Sequence, residues 1–169
     1  MDRREISGEH SIIMITIEAP GQKTREIDNI IFDLNGTLTV DGRIHPKTKD
    51  KINLLAKRVR IYVMTADTRG DSRDVLRKVK GEIVSIEEAD TGRAKVDFLT
   101  TIGAQRTVAV GNGYNDRLMI REASLGICIL GREGAFSETL RNADVVFPSI
   151  LDALDFLLKP LRQKATLRK

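Results

Sequence analysis

Residues 33–37, with the sequence DLNGT, place a carboxylate, an amide, a glycine and a hydroxyl within five positions. They directly follow the apolar run 30–32, which is typical of a strand buried on both faces. Such a strand ends at the carboxyl edge of an open α/β sheet, where ligands bind. Asp33 is therefore a candidate nucleophile, and Gly36 and Thr37 are candidate anion-binding residues. The alternative is an ordinary Asp/Asn/Gly turn at the end of a strand.

Three further groups lie where predicted strands end or predicted helices begin. Thr65 and Ala66 follow a predicted strand and offer a hydroxyl and backbone N–H groups to an anion. Lys95 lies in the first turns of a predicted helix, where the helix dipole disfavours a cation unless an anion is near. Residues 111–116 (GNGYND) follow another predicted strand. Each group alone has an ordinary interpretation as a turn, a solvated lysine or a loop, but their shared position at one sheet edge favours a phosphate site.

The elements that must position these groups alternate along the chain. Periodicity and turn signals predict a helix after almost every strand, which indicates βαβ units. The fold class expected is α/β: a three-layer sandwich with a mainly parallel, Rossmann-like sheet. Strands are predicted at 29–34, 60–64, 82–86, 106–110, 125–130 and 144–147, and helices at 46–58, 71–80 (closed by Gly81), 91–102 (capped by Thr91), 117–123, near 135–141 and 150–158.

The sequence predicts a single domain over residues 1–169, with a core at 29–158 and a basic tail at 159–169. Residues 11–28 are predicted to form a β-hairpin extension before the core. The Asp-Gly pair within 38–44 predicts a second, smaller hairpin that serves as a flap over the site. The apolar strand of the extension either packs on its own chain or self-associates with another copy.

Composition limits the classes of protein to consider. With 169 residues, 41% hydrophobic and 31% charged, the chain fits a globular protein with an aliphatic core, since it has no Trp. Its net charge of +4 is spread out, so nucleic-acid binding is not indicated. The single cysteine, Cys128, lies in an apolar run and is expected to be an inert core residue. No signal peptide or membrane-length apolar run is evident, and we expect a cytoplasmic protein.

Taken in order, the four groups resemble the motifs of the haloacid dehalogenase (HAD) superfamily of phosphoryl-transfer enzymes. The matching positions are residues 33–37, Thr65, Lys95 and residues 111–116, and the resemblance covers about residues 29–150. Within that superfamily the chain is similar to soluble P-type ATPase-like phosphohydrolases. The gaps between the motifs hold single helical units, so no cap domain is expected and the site should be open.

The resemblance implies a Mg²⁺-dependent phosphohydrolase or phosphotransferase in which Asp33 attacks phosphorus and carries an aspartyl-phosphate. Thr65 and Lys95 would hold the phosphoryl oxygens, together with Gly36, Thr37 and Ala66. This is coherent chemistry, because phosphoryl transfer needs positioning and the neutralisation of negative charge. The metal ligands implied are Asp33, Asn35 (through its backbone carbonyl), Asn112 and Asp116.

Two positions depart from the superfamily pattern. Asn35 replaces an acid that protonates the leaving group and later activates water, and an amide can do neither. Asn112 replaces a carboxylate that usually binds Mg²⁺. We therefore expect weak hydrolysis and reduced metal affinity.

Other functions remain open on the sequence alone. A non-catalytic or phosphate-sensing module on the same fold would also explain the two amides. A two-component receiver uses Asp, Thr and Lys around Mg²⁺, but it places its Lys after a strand. Residues 111–113 lack the third glycine of a dinucleotide-binding loop. The expected partner is a phosphorylated substrate of unknown identity, and an open site suits a macromolecular one or closure by another copy in a homo-oligomer.

Overall fold

A computed structural model describes residues 14–66, 71–87 and 89–169. The described residues form eight strands, seven α-helices and single 3₁₀ turns at Ala104–Arg106 and Tyr114–Asp116. The strands are β1 (Ile15–Ile17), β2 (Arg25–Ile27), β3 (Asn29–Asp33), β4 (Arg60–Thr65), β5 (Glu82–Ser85), β6 (Thr107–Gly111), β7 (Leu125–Ile129) and β8 (Val145–Phe147). The helices are α1 (Pro46–Leu55), α2 (Asp71–Val75), α3 (Thr91–Ile102), α4 (Arg117–Glu122), α5 (Ser137–Asn142), α6 (Ile150–Leu158) and α7 (Pro160–Leu167).

Six strands form one parallel sheet in the order β5-β4-β3-β6-β7-β8. The chain runs from β3 outward to β4 and β5, and then returns through α3 to β6 on the other side of β3. The strand order therefore reverses between β3 and β6, and a crevice opens there at the carboxyl ends of the strands. The predicted α/β fold with a parallel sheet is confirmed.

Helices cover both faces of this sheet and create two apolar cores. One core joins alternate residues of β3, such as Ile30 and Phe32, to α1 and α6. The other joins Ile31 to Leu99 of α3 and Met119 of α4. Because both faces are covered, β3 reads as a continuous apolar run rather than an alternating one. None of the helices formed by the described residues has the length and hydrophobicity that a bilayer crossing requires.

The segment after β3 forms the predicted flap. Val40 and Arg43 pair across a two-residue turn in which Asp41 and Gly42 have φ angles of 51° and 73°. This is the left-handed geometry that Asp-Gly pairs favour in tight hairpins. Between β3 and β4 the described residues add only α1 to this flap, and no inserted cap domain occurs among the described residues. No such domain therefore covers the carboxyl edge of the sheet among the described residues, as the sequence predicts.

The N-terminal hairpin, β1 with β2, is present as predicted, although residues 11–13 of the predicted strand lie outside the described residues. It packs on its own chain: Ile15, Ile17 and Ile27 are buried in the same core as α6. The structure thus favours the first of the two alternatives for this strand, because its apolar face is already covered without a second copy.

The segment 159–169, predicted as a basic tail, is mostly helical. Pro160 begins α7 rather than only ending α6, because proline suits the first position of a helix. The buried Gln163 donates to the carbonyl oxygens of Phe156 and Leu157 and so completes the end of α6. Leu167 packs into the core beside the hairpin. The sequence does not reveal this helix because only two of its eight residues, Gln163 and Leu167, are buried.

Two smaller predictions about helix ends are wrong. Helix α2 ends at Val75, and the left-handed residue that follows it is Lys78, with a φ of 71°, rather than Gly81. Helix α3 is capped by Asp90, whose side chain accepts from the backbone N–H of Arg93, so Thr91 is its first helical residue and not its cap. In both cases a neighbouring polar residue performs the role assigned to the predicted one.

The packing of α7 can be tested with two leucines of the same helix. Leu167→Ala should lower the free energy of unfolding by about 2–3 kcal/mol, because Leu167 is 6% exposed. Leu161→Ala is the matched control, since Leu161 is 80% exposed, and should change it by less than about 0.5 kcal/mol. Urea denaturation followed by circular dichroism measures both. Equal effects would show that α7 does not dock on the hairpin.

Candidate functional site

The predicted site residues come from loops at the carboxyl edge of the sheet, at the reversal of strand order. Asp33 is the last residue of β3, and Gly111 ends the neighbouring β6. Thr65 ends β4 on the other side of β3 and is 1% exposed. A cavity of about 210 Å³ lies at this edge. Its lining residues are Asp33, Asn35, Ala66, Thr91, Lys95, Asn112, Gly113, Tyr114, Asn115 and Asp116.

Lys95 makes the central contact of the site. Its Nζ lies 2.6 Å from Asp33 Oδ1 and 2.7 Å from Asp116 Oδ1, and the lysine is 2% exposed. Lys95 lies on helix α3, and Leu99, one turn further along this helix, is buried in the core between α3 and the sheet. The anionic partner that the sequence predicts for Lys95 is thus a pair of carboxylates, one at the end of β3 and one in the 3₁₀ turn after the neighbouring β6.

Asp116 organises the loop after β6. Its Oδ2 accepts hydrogen bonds from the backbone N–H groups of Asn112, at 3.0 Å, and Gly113, at 2.9 Å. A Cβ on Gly111 would lie 2.5 Å from Asp116 Cγ, so only glycine leaves room for this turn. Both carboxylate oxygens of Asp116 are therefore engaged, one by the loop and one by Lys95.

Asn112 ties three loops together. Its Oδ1 accepts from the Thr37 hydroxyl at 3.1 Å, and its Nδ2 donates to the carbonyl of Gly134 at 3.0 Å. Its own backbone carbonyl accepts from the N–H of Phe136 at 2.8 Å. Gly36 has a φ of 79°, and a Cβ there would lie 2.5 Å from Asn112 Nδ2, so the DLNGT turn also requires its glycine. The side chain of Asn112 is a structural link as well as an oxygen donor.

Glu133 is a residue that the sequence analysis missed. Its Oε1 accepts from the backbone N–H of Asp41 at 2.7 Å, which fastens the tip of the flap to the loop after β7. Its Oε2 lies close to Gly36, because a Cβ added to Gly36 would be 3.0 Å from this oxygen and would also contact the Asn112 amide. Local sequence predicts only a turn between Gly131 and Gly134, and an acid in such a turn has no signal that separates it from a solvated one.

Asn35 differs from Asn112 in its surroundings. Asn35 is exposed, and its side chain makes no hydrogen bond that involves another described residue. It lines the same cavity as Asp33. A titratable side chain at residue 35 would therefore line the same cavity as Asp33 without breaking a side-chain hydrogen bond. Asp67, a further acid considered near Thr65, lies outside the described residues.

Burial sets the acid–base properties of the site. Burial and the nearby charge of Asp116 raise the pKa of Asp33 to about 7, and the opposing effects of Lys95 and Thr37 do not cancel this rise. For Lys95, burial alone would lower the pKa, but the two carboxylates outweigh it and the pKa is raised. Burial, together with the charge of Asp116, raises the pKa of the Cys128 thiol to about 11, as suits an inert core residue.

The oxygen atoms of this site fit a hard divalent cation that takes its other ligands from water and phosphate. With all three groups charged, Asp33, Asp116 and Lys95 carry one net negative charge in a buried site, which a cation would neutralise. Within the described part of the chain no three His, Cys, Asp or Glu side chains cluster as a metal site. The oxygens at hand are those of Asp33, the Asn112 amide and the Asn35 carbonyl. Mg²⁺ accepts such sets, because it keeps waters and takes further ligands from phosphate.

Comparisons with known proteins place the chain beside two archaeal sequences. No protein-family model matches it. It is 50% identical over 64 residues to the uncharacterized protein MJ0073 of Methanocaldococcus jannaschii. This match covers 38% of the present chain and 69% of MJ0073. It is 44% identical over 39 residues to the uncharacterized protein MJ0072 of the same organism. That match covers 23% of the present chain and 89% of MJ0072. The chain belongs to the family of these two proteins.

The chain also resembles a group of solved phosphatase structures in its fold. A 3-deoxy-D-manno-octulosonate (KDO) 8-phosphate phosphatase from Moraxella catarrhalis, in complex with magnesium, phosphate and KDO, has a TM-score of 0.65 at 13% identity, over 83% of this chain and 89% of that one. The cobalt-bound phosphatase YrbI from Haemophilus influenzae has a TM-score of 0.66 at 16% identity, over 81% and 89%. These phosphatases have the HAD fold, and this chain shares it. The predicted resemblance to the superfamily is thus confirmed at the level of fold.

The pKa of Asp33 predicts how stability depends on pH in the absence of metal. A carboxyl whose pKa rises from 3.8 unfolded to about 7 folded stabilises the fold below pH 4, and this contribution is lost as the pH rises to 7. Asp33→Asn should remove the loss and should be more stable than the parent at pH 8 by about 1–4 kcal/mol. Chemical denaturation in EDTA from pH 4 to pH 8 measures this difference.

The exposed Asp97, which is outside the site, supplies the control for this experiment. Asp97→Asn should leave the pH dependence unchanged, because its ion pair with Arg93 is at the surface. Excess Mg²⁺ should raise the stability of the parent at pH 8, but it should not raise that of Asp33→Asn. A parent that is as stable as Asp33→Asn at pH 8 without metal would contradict the raised pKa.

Proposed function

We propose that this protein is a Mg²⁺-dependent phosphohydrolase or phosphotransferase that forms an aspartyl-phosphate on Asp33. The observation that carries the proposal is the burial of Lys95 between Asp33 and Asp116 at the point where the strand order reverses. A cation at this position neutralises both the nucleophile and the negative charge that spreads over a phosphoryl group during transfer. The likeness to phosphatases that bind magnesium and phosphate supports the same chemistry.

Asp33 is positioned for attack by the end of β3. Its carboxylate lines the cavity while 14% of its side-chain surface stays exposed, so an incoming phosphorus atom can approach it. Lys95 would hold a phosphoryl oxygen from the α3 side. Ala66, which directly follows Thr65, also lines the cavity. Gly36 and Thr37 belong to the turn beneath the nucleophile and would complete the phosphate-binding set.

A bound Mg²⁺ would neutralise phosphate charge and orient the group for in-line attack. The residues that would hold it are Asp33, Asn112 and the carbonyl of Asn35. Asp116 belongs to this set by the resemblance, and its hydrogen bonds with Lys95 and with the loop N–H groups give it a positioning role as well. With fewer charged ligands than the superfamily pattern, the chain should bind the metal weakly unless phosphate is present.

The amide at Asn35 limits the substrates that this site can process. The Asp33 carboxylate forms a bond to phosphorus as the bond to the leaving oxygen breaks, and that oxygen departs with its electron pair. Asn35 cannot give it a proton. Substrates whose leaving group is a weak base, such as acyl phosphates, phosphoanhydrides and aryl phosphates, should therefore react best.

The catalytic cavity also limits how substrate binds. About 210 Å³ is enough for a phosphoryl group and a metal ion but not for a drug-sized ligand. With no cap among the described residues, the rest of the substrate lies outside this cavity. An open site of this kind suits a macromolecular phosphate or closure by another subunit.

A phosphate-sensing module is the second candidate function. The structural use of Asn112 favours it, because this side chain holds the loops together and is not free to act mainly as a metal ligand. In that case Asp33 would accept a phosphoryl group, or bind phosphate, without turnover.

Trapping the phosphorylated state tests the nucleophile. Acetyl phosphate with Mg²⁺, or beryllium fluoride as a stable mimic, should modify Asp33 and no other carboxylate, because Asp33 alone lies at the strand end beside Lys95. Peptide mass spectrometry after borohydride reduction locates the acyl-phosphate. Labelling of Asp33→Asn to the same extent as the parent would rule Asp33 out, and labelling of the parent without turnover would support the sensing function.

Restoring the missing acid tests the role of Asn35. Asn35→Asp should raise turnover of a phosphate ester with a strongly basic leaving group by about 10²-fold or more, because an acid can then protonate the departing oxygen. With a series of aryl and alkyl phosphates, log kcat/KM should fall less steeply with leaving-group pKa than in the parent. Asn35 is the suitable position because its side chain has no structural contact to lose among the described residues.

Two controls accompany these kinetics. Asp33→Asn in the Asn35→Asp background should abolish turnover, which separates this site from a contaminating phosphatase. Intact-peptide mass spectrometry is needed because the Asn35-Gly36 pair is prone to deamidation and could supply a trace of Asp in the parent. If the folded Asn35→Asp protein shows the same slope and rate as the parent at saturating Mg²⁺, the missing acid does not limit this enzyme.

A further inference from the structure

Two aromatic side chains lie exposed and in contact beside the catalytic cavity. Tyr114 is 54% exposed and Phe136 is 40% exposed, and their ring centroids are 5.1 Å apart with the ring planes at 79°. The chain has five other aromatic residues, and all of them are buried or half-buried. Single exposed apolar residues are ordinary, but two exposed rings in contact at a candidate active site indicate a binding surface. We call Tyr114 and Phe136 the aromatic pair.

The aromatic pair is anchored to the loop after β6. The backbone N–H of Phe136 donates to the carbonyl of Asn112 at 2.8 Å. The Arg117 guanidinium lies 3.7 Å from the centroid of the Tyr114 ring and also donates to the carbonyl of Tyr114 at 3.0 Å. Because these contacts hold the two rings in place, a ligand that packs on them loses little free energy to ordering side chains.

Tyr114 connects the aromatic pair to the catalytic cavity. Among the described residues that line this cavity, Tyr114 is the one aromatic. The cavity, of about 210 Å³, accommodates a phosphoryl group and a metal ion, so the leaving group of a substrate lies outside it. Since Tyr114 belongs both to the cavity wall and to the exposed surface, a ring close to the phosphorylated oxygen can pack on it.

The chemistry of the site favours the same kind of leaving group. Asn35 cannot protonate the departing oxygen, so this oxygen has to leave as an anion. An aryl ring or an aroyl carboxyl group delocalises that charge. The Asp33 oxygen forms its bond to phosphorus while the bond from phosphorus to the leaving oxygen breaks. The leaving oxygen keeps the electron pair, and no proton from the protein is needed.

We propose that the aromatic pair selects substrates with a planar aromatic ring next to the phosphorylated oxygen, which are aryl and aroyl phosphates. The ring packs on Tyr114 and Phe136 while the phosphoryl group occupies the catalytic cavity. This inference rests on the proposed phosphoryl transfer and names its substrate class. The aromatic pair determines specificity and takes no part in making or breaking bonds.

Two acyl phosphates test the selection. Benzoyl phosphate and acetyl phosphate have leaving groups of similar basicity, but only benzoate carries a ring. With Mg²⁺, kcat/KM should be about tenfold higher or more for benzoyl phosphate. Tyr114→Leu and Phe136→Leu keep apolar bulk but remove a ring, and each should lower this ratio about threefold or more. Tyr114→Phe keeps the ring and should preserve the ratio.

Leu54→Ala is the matched control for the loss of an exposed apolar side chain. Leu54 is 49% exposed, lies on α1 and is not among the residues that line the catalytic cavity. Its replacement should change neither rate constant nor the ratio between the two substrates. An effect as large as that of Tyr114→Leu would show that the ratio does not report on the aromatic pair.

Binding of two phosphonates gives a readout that does not require turnover. Phenylphosphonate carries a ring and methylphosphonate does not, and neither has a leaving oxygen. The chain has no Trp and two Tyr, so the fluorescence of Tyr62→Phe comes from Tyr114 alone. With Mg²⁺, phenylphosphonate should quench this emission saturably. Its Kd should be lower than that of methylphosphonate, measured by displacement, by about tenfold or more.

The outcomes separate this inference from the proposed reaction. If neither acyl phosphate is turned over but phenylphosphonate binds selectively, phosphoryl transfer fails and aromatic selection stands. Equal kcat/KM for both substrates, or equal affinity for both phosphonates, overturns the inference whatever the activity. Light scattering tests a second copy as the alternative occupant. A dimer that Phe136→Leu dissociates, in a protein without aromatic selectivity, would assign the aromatic pair to a contact between copies and would also overturn the inference.

Discussion

The site depends on one buried cation shared by two buried carboxylates. Lys95 lies within 2.7 Å of both Asp33 and Asp116, and all three come from different elements around the reversal of strand order. Removing the charge of Lys95 would leave two buried carboxylates without a counter-charge, which costs several kcal/mol. The packing of α3 against the sheet and the tight turn at Gly111 are therefore conditions for this contact. They place Lys95 and Asp116 beside Asp33 at the end of β3.

The same contact leaves an excess negative charge in a buried site, and burial together with the charge of Asp116 raises the pKa of Asp33. A fold that buries two carboxylates with one lysine is poised to accept a cation or a proton at neutral pH. A bound cation would supply the missing positive charge. Stability and ligand binding are thus linked through Asp33: the groups proposed to support phosphoryl transfer also make the ligand-free protein less stable at higher pH.

The sequence predicts the sheet well, because a strand covered on both faces reads as a continuous apolar run and every crossover here is one helix. Local spacing also places Asp33, Lys95 and residues 111–116 at the correct edge. It fails for helix α7, whose buried face is only Gln163 and Leu167, and for Glu133, whose role arises from the Asp41 N–H some ninety residues earlier in the chain. Contacts made by a backbone donor across loops leave no periodic signal, so they appear only when the fold is known.

The two asparagines look equivalent in sequence but differ in the structure. Asn35 is exposed and makes no side-chain contact with the described residues, so its amide simply omits an acid. Asn112 uses both ends of its amide, accepting from Thr37 and donating to Gly134. A carboxylate at residue 112 could still accept from Thr37, but it would place its charge against the Gly134 carbonyl and near Glu133. Asn112 therefore has a physical reason to be an amide, because its two polar atoms link the loop after β7 to the turn after β3.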